Sequence, residues 1–257
     1  MKDNFSIQSH HYVKFRPCYP IGLYSFLLSL IKNKQTAWDC GTGNGQIAKE
    51  LSKYFDRVYA TDISKAQLDN AFKADNIFYK RECAETTDFP DCVFDLVTVG
   101  QAIHWFDFDS FYSEVKRTLK PGGVLAVIGY GLMTADASTN EIINRLHHDI
   151  VGPFWDEERK YIDEEYQTIP FPFKEIKAPV FKNEFDWTFE QLIGYLNTWS
   201  AVQHYIRSKG QNPIDLVYED LQESWQYNPN KTVVFPILLK VGTTGTIENR
   251  YNQQRAC

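Results

Sequence analysis

Residues 38–48 read WDCGTGNGQIA, with glycines at the alternate positions Gly41, Gly43 and Gly45 behind the acidic Asp39. Residues 36–40 form a short run that stops at the glycines and predicts a strand. Residues 46–55, with Ile47, Leu51 and Phe55 four apart, predict a helix that starts directly after them. A strand that ends in bare backbone and enters a helix suits a polar or charged group of a nucleotide-like ligand. Side-chain Cβ atoms would block close approach there, and a helix start offers free N–H groups.

The same alternation continues downstream. Residues 57–61 (RVYAT) predict a second strand stopping at Asp62, and Ser64 predicts the cap of a helix reaching about Lys73. Residues 76–79 predict a third strand. Residues 94–99 (FDLVTV) are nearly all apolar, as in a strand covered on both faces. A helix over 108–119, ended by Lys120-Pro121-Gly122-Gly123, leads to a fifth strand at 124–128. Strand–helix alternation over this span implies right-handed crossovers and a doubly wound, mostly parallel α/β sheet. Ahead of it, residues 20–32 carry a helical apolar stripe. Beyond Thr134 the pattern is mainly helical to 227, interrupted by Pro153, by the PFPF run at 170–173 and by an extended segment at 175–187. Residues 231–241 (KTVVFPILLKV) predict a closing strand in which Pro236 requires an edge or a bulge, because proline has no N–H for a central ladder.

The chain has 257 residues, 43% hydrophobic and 23% charged, which suits one large domain with an insertion. Its 15 Tyr, 18 Phe and 6 Trp exceed ordinary core needs and point to an aromatic-lined pocket. A net charge of −6 with no basic run argues against a nucleic-acid partner. Cys18, Cys40, Cys83, Cys92 and Cys257 form no CxxC pair, which argues for a reducing compartment and against a disulfide frame or a zinc site. The first residues, MKDNFSIQSHHYVKF, lack the apolar core of a secretory signal, and the apolar run at 23–31 is too short to span a bilayer. The expectation is a cytoplasmic protein, monomer or homodimer, acting on a small molecule and not on a membrane.

Two cofactor classes use such a glycine turn. A dinucleotide fingerprint, G-x-G-x-x-G, fails because Gln46 stands at its third glycine. The observed D-x-G-x-G-x-G is instead the pattern of S-adenosylmethionine (SAM) sites, where Asp39 would serve the cofactor's ammonium group, often through water. Asp62, with Ile63 after it, ends the second strand where a carboxylate can accept both ribose hydroxyls, a device that NAD sites share. Ala84 and Glu85 follow the third strand, where an adenine contact would fall. A glycine turn used only for packing is the plain alternative.

With the DCGTGNG turn, Asp62, Ala84-Glu85, FDLVTVGQAIHWFD (94–107) and LKPGGVLAV (119–127), the chain resembles the class I SAM-dependent methyltransferases of the small-molecule branch. YVKFRPCYP, QAIHWFD and YLNTWSAVQHY (195–205) are similar to segments of the trans-aconitate methyltransferase-like group. The resemblance implies a Rossmann-like, mostly parallel seven-stranded sheet with one antiparallel strand. It implies N-terminal lid helices at 1–33, with Tyr12, Arg16 and Tyr19 over the cofactor, a SAM-binding core at 34–133, a helical cap at 134–230 and a closing strand and tail at 231–257. The implied acceptor is a small organic acid; a hydroxyl, amine or carbon nucleophile, a silent SAM-binding protein and a dinucleotide oxidoreductase are the alternatives.

Gln101, His104 and Trp105 follow the fourth strand, at the edge where open α/β sheets bind ligands. His104 could hold an anion, act as a base, or hydrogen-bond its own loop. Tyr195, Trp199 and His204 have the spacing of one helical face and could be core or pocket wall. His104, His204 and Arg207 are the candidate anion holders. The adjacent pairs His10-His11 and His147-His148 have no acidic or cysteine partner at ligand spacing, so no metal is expected.

Overall fold

The computed structural model describes residues 17–225 and 229–245. Its core is a sheet in the order β3-β2-β1-β4-β5-β8-β6. The strands are β1 (Thr36–Cys40), β2 (Arg57–Asp62), β3 (Ile77–Arg81), β4 (Phe94–Gly100), β5 (Leu119–Tyr130), β6 (Lys174–Glu175), β7 (Lys182–Trp187) and β8 (Lys231–Thr243). β1 to β5 run parallel, and β8 is antiparallel to β5, β6 and β7. Eight strands replace the expected seven, because the extended segment at 175–187 contributes β7 and β6 precedes it.

Alternate side chains of the central strands go to opposite layers, which is why their sequences are apolar throughout. Val97, Val99, Leu125 and Val127 pack with helix α4 (Phe108–Thr118) through Phe111 and Val115. Leu96, Val124, Ala126 and Ile128 face the other layer, with Leu23, Tyr24 and Leu27 of α1 (Ile21–Ser29) and Ile47 and Leu51 of α2 (Gln46–Leu51). Trp38 is fully buried against Phe89 and Phe94, and its Nε1 donates to Thr61 Oγ1 at 2.9 Å. Truncating such a residue to alanine costs about 3–5 kcal/mol. Ser64 accepts from Gln67 N and caps α3 (Lys65–Asp69). The LKPGG segment does not separate α4 from a strand; it already belongs to β5, with a register shift where β5 meets β4.

β8 explains Pro236. The first half of β8 pairs with β7 and the second half with β5. Ile237 N donates to Phe181 O on one side and Val234 N to Thr134 O on the other. By alternation the Pro236 nitrogen faces 131–134, where the ladder beyond Tyr130 is interrupted, so no donor is missed.

Residues 134–225 cover the sheet's carboxyl edge with α5 (Ala137–Asn144), α6 (Lys160–Asp163), α7 (Phe189–Leu196), α8 (Ser200–Lys209) and α9 (Tyr218–Trp225). Their second core joins Leu146, Leu192, Leu196, Val202 and Trp225 to Phe235 of β8. No helix among the described residues is long and apolar enough to cross a membrane.

Candidate active site

Parallel pairing brings the ends of β1, β2, β3 and β4 to one edge, and with them Asp39, Asp62, Ala84 and Gln101. All three glycines of the first turn adopt left-handed φ, at 66° for Gly41, 54° for Gly43 and 81° for Gly45. Their reasons differ. A Cβ on Gly41 would lie 2.7 Å from Ala102 Cβ, and one on Gly45 would collide with the Tyr79 hydroxyl. At Gly43 the nearest atom among the described residues would be Gln67 Oε1 at 4.0 Å, so none of them crowds the bare backbone there. A cofactor that lies against the turn fits at Gly43.

Asp39 is turned inward. Its Oδ2 accepts from Thr42 Oγ1 and from Ala48 N (3.0 Å), and its Oδ1 accepts from Thr98 Oγ1 at 2.9 Å. It is 1% exposed, and burial pushes its pKa up to about 6 against the pull of those hydrogen bonds. The carboxylate thus braces the turn from behind, and the Ala48 N–H expected to be free at the helix start is already bonded. Asp62 is half-buried; it accepts from Gly43 N at 2.9 Å and Ser64 N at 2.8 Å, tying the glycine turn to the end of β2. Ile63 O accepts from Arg81 Nε, Ala84 is buried, and Glu85 accepts from Asp107 N at 3.2 Å. Tyr12 and Arg16, expected over the cofactor, lie outside the described residues, as do His10 and His11. The Tyr19 ring lies tilted against Tyr130, 6.3 Å between centres, and a Cβ on Gly100 would lie 3.4 Å from the Tyr19 hydroxyl.

Gln101 stands at the end of β4 with φ of 52°, an uncommon conformation for a residue with a side chain. It is held there by Gln101 N to Ile128 O (2.8 Å), Nε2 to Tyr130 O (3.2 Å) and by Tyr166, whose hydroxyl donates to Oε1 at 3.3 Å. Tyr166 comes from the cap side, fully buried, and fits because Gly129 has no Cβ.

Between this edge and the cap lies a cavity of about 60 Å³. Gln101, His104, Trp105, Tyr195 and Trp199 all line it, together with Tyr130, Trp155, Asp156 and Arg159. Tyr195 ends α7 and Trp199 precedes α8, so they reach the cavity from a helix junction and not from one helical face. His204 is not in the lining. Its Nδ1 donates to Phe154 O at 2.9 Å and lies 3.9 Å from Asp156 Oδ2. Arg207 is exposed and outside the lining, so two of the three expected anion holders are displaced.

Among the described residues that line the cavity the cation is Arg159, which the sequence pattern did not single out. Arg159 Nε donates to Asp163 Oδ1 at 2.9 Å and Nη2 to His147 Nε2 at 3.4 Å, and the guanidinium lies 4.5 Å from the Trp155 ring centre. Its proximity matters for His104. The imidazole is 7% exposed, and burial first, then Arg159, push its pKa down to about 3. Of the roles open to His104 from sequence, both effects disfavour the protonated form that a base would have to reach. The group is a neutral imidazole whose Nδ1 has no hydrogen-bond partner among the described residues. His147 is depressed to about 3 in the same way, so it is the acceptor for Arg159.

Comparison with known proteins follows the same lines. The family described as "Methyltransferase domain" matches residues 38–127. A Dictyostelium discoideum protein named as a methyltransferase is 34% identical over 228 residues, 87% of each chain. A Saccharomyces cerevisiae protein named as an S-adenosylmethionine-dependent methyltransferase is 28% identical over 136 residues, 48% of this chain and 45% of its own. The solved structure of an Anaeromyxobacter dehalogenans protein, named as a type II methyltransferase, superposes with a TM-score of 0.84 at 35% identity, covering 90% of this chain and 99% of that one. With its mostly parallel sheet and αL glycine turn, this chain belongs to the class I S-adenosylmethionine-dependent methyltransferases.

Proposed function

We propose that this methyltransferase is a cytoplasmic enzyme of the trans-aconitate methyltransferase-like group and methylates a carboxylate oxygen of a small organic acid. In this reading residues 34–133 hold SAM and residues 134–230 cap the acceptor. Arg159, fixed inside an aromatic-walled cavity beside a neutral His104, is the observation that carries it. When bound, SAM supplies a methyl group already activated by its sulfonium. The Gly43 backbone and Asp62 are the parts of the chain suited to hold it, and Gln101 joins its site to the acceptor cavity.

A carboxylate nucleophile needs no base, so the protein's task is alignment and exclusion of water. A guanidinium can hold one carboxylate oxygen and leave the other directed at the methyl. His104, neutral, can orient the acid without withdrawing its charge. Tyr195, Trp199, Trp105 and Trp155 supply walls that keep water out.

The test combines product identification with one variant. Incubation with methyl-labelled SAM and a metabolite extract should yield a labelled methyl ester. Arg159→Met should raise the acceptor KM by roughly 10- to 100-fold, the range for hydrogen bonds to a charged group, while leaving SAM affinity within about twofold. Methyl label on nitrogen or carbon would rule out a carboxylate oxygen as the nucleophile.

A further inference from the structure

We propose that the acceptor cavity recognises a monoanion that also carries a hydrogen-bond donor: a hydroxy or amino acid with a single free carboxylate, and not a polycarboxylate. The inference rests on the acid reading above, narrows it, and sets this chain apart from group members that take a tricarboxylate such as trans-aconitate. Its basis is the pair of opposite charges that line the cavity without neutralising each other. Asp156 precedes a 3₁₀ turn at Glu157–Arg159, closed by Arg159 N donating to Asp156 O at 2.9 Å. Both side chains line the cavity one turn apart, and no ion pair among the described residues joins them.

Yet Arg159 is paired to Asp163 and His147, and Asp156 Oδ2 is buried and accepts no hydrogen bond among the described residues. His204 behind it aims its Nδ1–H at Phe154 O. Five N–H donors belong to a guanidinium, and the two bonds made leave three for a ligand. The cavity therefore presents one set of donors for a carboxylate and, one turn away, a carboxylate with a vacant acceptor position. A buried acceptor without a donor is costly, so a ligand that fills it with an O–H or N–H is selected. A second carboxylate at that place would meet Asp156 as a like charge and is rejected. Among the described residues that line the cavity Arg159 is the one cation, since His104 is neutral.

Calorimetry on the full protein saturated with S-adenosylhomocysteine tests this with pentanoate, 5-hydroxypentanoate, 5-aminopentanoate and glutarate. The hydroxy or the amino acid should bind at least about 10-fold more tightly than glutarate. In Asp156→Asn that preference should shrink by at least about 10-fold, with glutarate gaining. The ratio between ligands is independent of the folded fraction, and an unchanged thermal melt confirms the variant's fold. Glutarate binding as well as 5-hydroxypentanoate in the native protein, an unchanged ratio in Asp156→Asn, or no acid binding at all would overturn the inference. The two readings separate. Methyl-ester products with a glutarate preference would remove this inference alone. The expected ratios with label on nitrogen or carbon would remove only the carboxylate-oxygen reading.

Discussion

At the scale of single residues, His104 shows how burial changes a chemical role without changing geometry. Exposed, it would gain a proton near pH 6.5 and could serve as a base around neutrality. Enclosed between Trp105, at 5.1 Å between ring centres, and Tyr166, at 6.5 Å, with Arg159 close by, it stays neutral down to about pH 3. The kcat/KM profile should then show no step near pH 6.5, because both His104 and a carboxylate nucleophile keep one protonation state there. His104→Ala should lower kcat/KM by roughly 10- to 100-fold through lost positioning, with the profile's shape retained. A native rate that climbs through pH 6.5, and a variant that no longer does, would restore His104 as a base.

At the scale of elements, the glycine turn between β1 and α2 combines two demands. Gly41 and Gly45 are there for packing against Ala102 and Tyr79, whereas a Cβ on Gly43 would be uncrowded among the described residues. All three carry left-handed φ, which costs about 1–2 kcal/mol for an alanine. Gly43→Ala should therefore lose about 1–2 kcal/mol of stability and at least about 10-fold in SAM affinity. Gly45→Ala adds the Tyr79 collision, for a further ~1–3 kcal/mol, and Tyr79→Leu should recover part of that loss. Urea titration and SAM calorimetry on the three variants check both statements; equal stability losses at 43 and 45 would show that Tyr79 yields without cost.

At the scale of the whole molecule, two buried histidines and one buried carboxylate pull the pH dependence of stability in opposite directions. His104 and His147 have folded pKa values below the unfolded one, so their contribution is present above pH 6.5 and is lost as pH falls toward about 3. Asp39 is raised to about 6, so its contribution is present below about pH 4 and is lost as pH rises through 6. Each proton bound unequally is worth about 1.4 kcal/mol per pH unit. Between pH 4 and 6, two protons taken up by the unfolded chain outweigh the one kept by the folded chain. Stability should rise with pH by ~1 kcal/mol per unit across that window. Urea midpoints at several pH values measure it, and His147→Gln should flatten the slope. A slope of the opposite sign would mean that the histidines are protonated in the folded state.

The sequence by itself determined the parallel sheet and its cofactor edge. Strand alternation, the apolar run of β4, the glycine spacing and Asp62 are local signals, and local backbone chemistry suffices to produce them; β1 follows its expected bounds, and β2 and β4 differ by one residue. What decided the aromatic-walled cavity was long-range. Arg159 reads in sequence as one charge in a charged stretch, DEERKYIDEE, and becomes the cavity's cation only when the 3₁₀ turn docks it beside Trp155 and His147. The absence of His204 from the lining and the presence of Asp156 in it, the inward turn of Asp39, the switch of β8 between β7 and β5 at Pro236, and the eighth strand all depend on which segments meet in space. Burial sets the pKa of His104, and burial is a property of the packed chain, so no spacing in the sequence could have announced it.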